Sequence, residues 1–266
     1  MTLRYSIYIF LLLFSLPIEA QVGKVSSYEI FGSDYSEVEI KSNELKGAIY
    51  YLVSGHGGPD PGAIGAYNSS RVSEDEYAYD VTLRLARKLI EKGALVYMII
   101  RDPNDGIRDA NVLKLDYDEQ CYPSSTIPLN QTQRLAQRTT AVNTLHRKYG
   151  KQYQRVIFIH LDSRSQGENI DVFFYHHGKS KSGKKLANRM KDTFKKKYAQ
   201  FQPNRKYTGT VSDRNLYVLR NTKPTALFIE LGNIRNTKDQ RRFILKDNRE
   251  ALAKWIAEGL KSDFKP

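Results

Sequence analysis

The stretch YYLVSGHGGPDPGAIG, residues 50–65, joins a short apolar run to a loop rich in glycine and proline. Aromatic and β-branched residues closed by a glycine are typical of a buried strand that ends there. The stretch therefore predicts a strand that delivers a histidine, His56, into a tight turn. The glycines beside His56 allow backbone conformations that other residues avoid, and the prolines that follow stiffen the turn.

A helix and a second strand follow this loop. SEDEYAYDVTLRLARKLIEKGA, residues 73–94, has apolar residues at helical spacing, acids in its first turn and a glycine near its end. LVYMIIRD, residues 95–102, has the composition of a strand. The order strand, helix, strand implies a parallel βαβ unit. The sequence thus predicts an α/β fold: a single domain with a mostly parallel twisted sheet and helices on both faces.

The same alternation continues to the end of the chain. Residues 103–130 are irregular, and we expect them to form a long surface insertion. Further strands are predicted in RVIFIHLDS (155–163), IDVFFYH (170–176), LYVL (216–219) and TALFIEL (225–231), and further helices in residues 132–150, 182–201 and 238–262.

The amino terminus has the pattern of an export signal. Arg4 precedes an apolar run that ends in small residues, which predicts a secretory signal peptide, residues 1–20, cleaved after Ala20. The alternative is a membrane anchor, but the run is shorter than the roughly 20 residues that a spanning helix needs. We therefore expect an exported protein, periplasmic or associated with the cell wall, without stable membrane insertion. Residues 21–46 are an N-terminal extension of the main domain, residues 47–266.

The net charge indicates the kind of binding partner, and the cysteine content limits the chemistry of the protein. The formal net charge is +13, which suits an anionic partner. Export favours an anionic cell-wall polymer over nucleic acid. The single cysteine, Cys121, cannot form an internal disulfide, and its acidic neighbours in DEQCYPSS do not favour a reactive thiolate.

Polar residues come where three predicted strands end. His56 follows YYLVSG, His160 ends VIFIH, and Glu230 ends ALFIE. Sites in open α/β sheets form beyond the carboxyl ends of the strands, so these side chains are candidates for one site. Two histidines and a carboxylate are a common ligand set for catalytic zinc, with water in the fourth position. The acids of SEDE, at the same edge, can supply that carboxylate or simply cap the helix.

Several motifs resemble one enzyme family. SGHGGPDPGAIGA, residues 54–66, resembles the first motif of the zinc-dependent N-acetylmuramoyl-L-alanine amidases of the family called Amidase_3. VIFIHLDS with NIDVFFYHH is similar to the strand-end histidine and next strand of that family, and NLYVLRNTKPTALFIELGNIRN to its closing motif. The likeness runs through residues 47–260 in the order of the family. It implies that residues 47–266 form a zinc amidase-like catalytic domain.

The resemblance also implies roles for individual residues. His56 and His160 correspond to zinc ligands and Glu230 to the catalytic carboxylate. After His160 the family usually has a small residue and an asparagine, whereas Leu161 and Asp162 stand here.

Two glutamates are candidates for the third zinc ligand. The interval typical of the family, counted back from Leu83, reaches Ala78, which cannot bind metal. Glu74 lies one turn earlier on the same helical face and is the expected ligand if the helix is one turn longer here. Glu76 is the alternative if the helix starts after it.

The function implied is zinc-dependent hydrolysis of the amide bond between N-acetylmuramic acid and L-alanine in peptidoglycan, with Zn²⁺ as cofactor. Arg220, which follows LYVL, is a candidate for binding a substrate carboxylate. Two alternatives remain open: a non-catalytic wall-binding protein on the same fold, and a zinc hydrolase of another peptide or amide.

Overall fold

A six-stranded mixed sheet forms the centre of the molecule. Its strands lie side by side in the order Val211–Asp213, Phe173–His176, Thr225–Asn233, Tyr153–Asp162, Ala48–Ser54 and Leu95–Met98. The computed structural model describes residues 22–163 and 169–264, so the predicted signal peptide lies outside the described residues. The strands are β1 Val25–Ser27, β2 Glu37–Glu39, β3 Ala48–Ser54, β4 Ile64–Tyr67, β5 Ser70–Ser73, β6 Leu95–Met98, β7 Ile100–Arg101, β8 Gln120–Cys121, β9 Ser125–Thr126, β10 Tyr153–Asp162, β11 Phe173–His176, β12 Val211–Asp213 and β13 Thr225–Asn233. The α-helices are α1 Glu74–Glu91, α2 Gln131–Tyr149, α3 Lys181–Phe201, α4 Tyr217–Asn221, α5 Thr237–Ile244 and α6 Lys246–Phe264.

Helices cover both faces of this sheet, as the sequence predicts. All seven residues of β3 are buried, and they alternate between two hydrophobic cores. Tyr50 and Leu52 join the core beneath α1, α3 and α6, whereas Tyr51 and Val53 join the core beneath α2 and α4. A strand enclosed on both faces needs apolar residues at every position, which explains the continuous apolar run.

The prediction of a mostly parallel sheet is confirmed, and one of the pairings between neighbouring strands is antiparallel. β3 pairs in parallel with β6 and β10, and β10 pairs in parallel with β13. β11 runs antiparallel to β13, so the sheet is mixed although mostly parallel.

The prediction that LYVL, residues 216–219, forms a strand is wrong. Residues Tyr217–Asn221 form the short helix α4, in which Val218 and Leu219 are buried against the second core. A run of four apolar residues has no periodicity long enough to distinguish a strand from a buried helical turn. The strand of this region is instead β12, whose residues Val211–Asp213 pair with β11 and were not predicted.

The insertion has structure of its own. Its strands β8 and β9 form a small antiparallel sheet with β7, which lies just before the insertion. Cys121 on β8 is fully buried, and burial raises the pKa of its thiol to about 11. The thiol is therefore uncharged at neutral pH and serves as a small apolar side chain.

Residues 22–46 pack on the main domain. β1 and β2 form an antiparallel pair, and Phe31, Val38 and Leu45 are buried in the same core as α1. Within the described ranges, no helix combines the length and the apolar character that crossing a bilayer requires.

Candidate metal centre

Three side chains from distant parts of the chain meet at the carboxyl edge of the sheet. They are His56 in the loop after β3, Glu74 at the first position of α1, and His160 near the end of β10. Each offers a ligand atom, and these atoms lie within 4.8 Å of one another. Oε1 of Glu74 is 3.2 Å from His56 Nε2 and 2.9 Å from His160 Nδ1. The group has the donor set of a divalent metal site.

Two glycines make room for this convergence. A Cβ on Gly55 would lie 2.4 Å from Nδ1 of His160, and one on Gly62 would lie 2.7 Å from the His56 ring and 2.8 Å from the Glu74 carboxylate. His56 itself has a φ of 60°, which is uncommon for a residue with a Cβ. The loop is therefore held in a strained form that presents the imidazole.

A second carboxylate orients the His56 ring. Nδ1 of His56 is 2.9 Å from Oδ2 of Asp60, and the same oxygen accepts a hydrogen bond of 2.6 Å from Nη2 of Arg134. Arg138 donates to the backbone carbonyl of His56. Because Asp60 engages Nδ1, Nε2 is the nitrogen directed at Glu74. A carboxylate on the outer nitrogen of a histidine is the usual support of a metal ligand.

The charges of the group are strongly coupled. Burial disfavours the imidazolium of His56, but Glu74 and Asp60 outweigh it and raise the pKa of His56 to about 10. Although burial opposes its ionisation, the two histidines hold the pKa of Glu74 well below its usual range. Burial lowers the pKa of His160. Without a metal, the group is thus an ion pair beside a neutral imidazole, and a divalent cation would replace the proton.

Glu230 lies beside His160. The two residues are opposite each other in the parallel pairing of β10 with β13, so their side chains point to the same face of the sheet. Glu230 is buried, with 8% of its surface exposed. Phe228, two residues earlier on β13, stacks on the His160 ring with 4.3 Å between centroids. The group of three ligands therefore has a carboxylate next to it and an apolar ring packed against one of its histidines.

Glu76 points elsewhere. Its carboxylate accepts 2.7 Å from Arg108 Nη2 and 3.0 Å from the backbone N–H of Asp116. The helix begins at Glu74, one turn earlier than the resemblance implies, and two residues along a helix face nearly opposite directions. Of the two candidate acids, Glu74 is the one that the structure places with the histidines.

Arg220 lies on α4 and is exposed. Its Nη1 donates 2.9 Å to Oδ1 of Asn215, and its guanidinium lies over the ring of Tyr217. Because LYVL is helical, Arg220 does not follow a strand, and the reasoning that placed it at the sheet edge does not apply.

Sequence reasoning missed the supporting residues. Neither the loop pattern around His56 nor the helical pattern of residues 132–150 singles out Asp60, Arg134 or Arg138. The one available signal was the spacing of Asp60, four residues after His56 within a loop of glycines and prolines.

An α/β domain with two imidazoles and a carboxylate at one edge of its sheet is typical of metal-dependent hydrolases. Residues 51–262 match the family model described as N-acetylmuramoyl-L-alanine amidase, and the chain belongs to that family. The resemblance drawn from the sequence motifs is confirmed, and so is amidase activity on peptidoglycan at the level of the family.

Individual relatives agree with this assignment. The chain is 26% identical over 200 residues to the germination-specific N-acetylmuramoyl-L-alanine amidase of Bacillus subtilis, covering 73% of this chain and 70% of that protein. The structure of the CwlD amidase from Clostridioides difficile in complex with the GerS lipoprotein superposes with a TM-score of 0.59 at 20% identity, covering 81% of this chain and 98% of that one. The amidase AmiC2 of Nostoc punctiforme gives a TM-score of 0.57 at 18% identity, covering 85% and 99%. These two similarities show the shared fold.

Proposed function

We propose that this amidase holds a Zn²⁺ ion between His56, Glu74 and His160, and that Glu230 is its catalytic carboxylate. The observation that supports the proposal is the convergence of the three ligand atoms within 4.8 Å beside Glu230. The bond cleaved is the amide between the lactyl group of N-acetylmuramic acid and L-alanine.

The donor set fits zinc. Two imidazole nitrogens and one carboxylate oxygen are the ligands of many catalytic zinc sites, which keep a fourth position for water. Oε1 of Glu74 lies 3.2 Å from Nε2 of His56 and 2.9 Å from Nδ1 of His160, so these three atoms could hold one ion between them. Asp60 and Arg134 supply the second layer of hydrogen bonds that such a site needs.

Each residue has a defined task in the hydrolysis. When bound, zinc lowers the pKa of water and polarises the amide carbonyl. Glu230 accepts a proton from the attacking water, whose oxygen bonds to the carbonyl carbon. As the carbon–nitrogen bond breaks, Glu230 returns the proton to the amine of L-alanine. Phe228 shields this region with its ring and thereby strengthens the local electrostatics.

The net charge of the protein and its predicted export also support the proposal. The formal net charge of +13 favours contact with an anionic wall polymer. Export by a signal peptide in residues 1–20 would bring the enzyme to that polymer, in the periplasm or at the cell wall.

The test separates metal binding from turnover. We expect Glu230→Gln to retain bound zinc while dye release from labelled sacculi falls at least about 100-fold, because a general base contributes about 10² to 10⁴. Glu74→Gln should lose both zinc and activity. Glu39→Gln, an exposed acid on β2, is the matched control.

Mass spectrometry of the products distinguishes the possible functions. New N-acetylmuramic acid ends and free L-alanine amines support the amidase. Binding to sacculi without products would indicate a wall-binding protein, and cleavage elsewhere would indicate a different hydrolase. Wild-type turnover in Glu230→Gln would remove Glu230 from the mechanism.

A further inference from the structure

A separate group of acids lies in and beside the insertion. Asp102, directly after β7, and Asp105 and Asp116 in the insertion each offer a carboxylate oxygen, and these oxygens lie within 4.8 Å of one another. Asp102 is buried, with 5% of its surface exposed. None of the three belongs to the group of His56, Glu74 and His160.

Only one of the two carboxylate oxygens of Asp102 accepts hydrogen bonds from the residues that the structure describes. Its Oδ1 accepts hydrogen bonds from the backbone N–H groups of Asn104, at 2.8 Å, and Asp105, at 2.6 Å. Its Oδ2 is buried and has no hydrogen-bond partner among the described residues, and the same holds for Oδ1 of Asp116. A buried carboxylate oxygen without a partner is costly, because it has lost water and gained nothing in return. Two such oxygens in one group of acids point to a missing cation.

The local charge balance points the same way. Arg108 pairs with Asp105 and with Glu76, and it is the cation engaged at this group. Neither Asp102 nor Asp116 forms an ion pair with any residue in the part of the chain that the structure describes. Burial, with a smaller contribution from the neighbouring acids, raises the pKa of Asp102 to about 6. The group therefore carries excess negative charge within a protein whose formal net charge is +13.

We propose that Asp102, Asp105 and Asp116 bind a Ca²⁺ ion. Ca²⁺ takes six to eight oxygen ligands about 2.4 Å away, so oxygens that lie within 4.8 Å of one another can reach a single ion. The donors are all carboxylates, which hard cations prefer, and an irregular loop suits the flexible coordination of Ca²⁺ better than the strict octahedron of Mg²⁺. Water molecules complete the coordination.

The ion would stabilise the insertion against the catalytic loop. Glu119, three residues after Asp116, accepts a hydrogen bond of 2.6 Å from the backbone N–H of Gly58, two residues after His56. A cation that joins Asp116 to Asp102 thus fixes the segment that braces the histidine loop. This role is structural and does not depend on the proposed zinc chemistry.

Terbium luminescence tests the proposal directly. The backbone N–H of Asp102 donates 3.0 Å to the phenol oxygen of Tyr79, so a tyrosine lies against the site and can sensitise bound Tb³⁺. With the protein first saturated with Zn²⁺, we expect tyrosine-sensitised emission that saturates at one Tb³⁺ per chain. Ca²⁺ should abolish the emission by competition, and Mg²⁺ at the same concentration should not.

Two variants and a control make the result specific. Asp102→Asn and Asp116→Asn should each lose the emission, whereas Asp192→Asn, an exposed acid on α3, should keep it. Ca²⁺ at about 100 times its Kd should raise the Tm of the wild type by about 5 to 10 °C and leave both site variants unchanged. The Tm without Ca²⁺ shows whether each variant folds. Absent emission and an unchanged Tm in the wild type, or emission that survives in both variants, would overturn the proposal.

Discussion

Gly55→Ala is the substitution that most directly tests the geometry of the histidine group. Gly55 directly follows β3, at the edge of the sheet where the site lies. Its N–H donates a hydrogen bond of 2.7 Å to the carbonyl of Ile159 on β10. A Cβ there would lie 2.4 Å from Nδ1 and 2.5 Å from Cε1 of His160. Ordinary contacts between such atoms are about 3.5 Å, so the ring or the strand must move by about 1 Å.

Two costs follow from this displacement. Overpacking of a filled interior costs about 1 to 3 kcal/mol of unfolding free energy. A ligand that moves by about 1 Å exceeds the tolerance of about 0.5 Å within which metal sites must be held. We expect zinc affinity to fall by about 10- to 100-fold, the effect of losing an important support of a ligand.

The measurements are a zinc titration against a competing chelator, urea unfolding of the metal-free protein, and dye release from sacculi. Gly47→Ala is the control, at the opposite end of β3. Gly47 has a φ of 87° and nothing within 4 Å of its Cβ position, so alanine strains the backbone by about 1 to 3 kcal/mol without touching the site. This variant should lose stability and keep zinc affinity. The reasoning would be refuted if Gly55→Ala bound zinc as tightly as Gly47→Ala does.

Three further outcomes are expected. Asp60→Asn should weaken zinc binding by about 10- to 100-fold while the fold persists, because the His56 ring loses its orienting carboxylate. Glu44 is held by two lysines that lower its pKa from 4.5 to about 2, so its contribution is present above about pH 4.5 and lost as the pH falls towards 2. Glu44→Gln should therefore lower the unfolding free energy by at most about 1 kcal/mol at pH 7, since water screens the pairs, and by progressively less as the pH falls from 4.5 through 2. Arg249→Met should lower it by about 1 to 3 kcal/mol in urea unfolding, because buried backbone carbonyls such as that of Ala110 lose their donor, whereas Arg84 still pairs with Asp80.

The sequence predicted the parts of the fold that have long and clear patterns of apolar residues. The helices α1, α2 and α3 were predicted from apolar residues at helical spacing, and the strands β3, β10 and β13 from continuous apolar runs. Residues Tyr217–Asn221 were misread because four apolar residues fit either a strand or a helical turn. The antiparallel direction of β11 was also hidden, because nothing within a strand records the direction of its neighbour.

The candidate site was predictable to the extent that each residue stands at the end of an apolar strand. His56, His160 and Glu230 were named from that position alone, and the structure brings them to one edge of the sheet. The choice between Glu74 and Glu76 depended on where the helix begins, which three consecutive acids leave ambiguous. The roles of Asp60 and Arg134 depend on contacts between the loop and α2, which a single sequence does not reveal.

The segment before β3 changes what counts as the smallest autonomous unit of this enzyme. The family match begins at residue 51, yet Phe31, Val38 and Leu45 fill the interior beneath α1. At about 1.5 to 3 kcal/mol for each buried side chain, their sum rivals the whole stability of a typical domain. A chain trimmed to the matched residues would expose an apolar groove along α1, the helix that carries Glu74. Its loss of activity would then reflect low stability rather than a defect of catalysis.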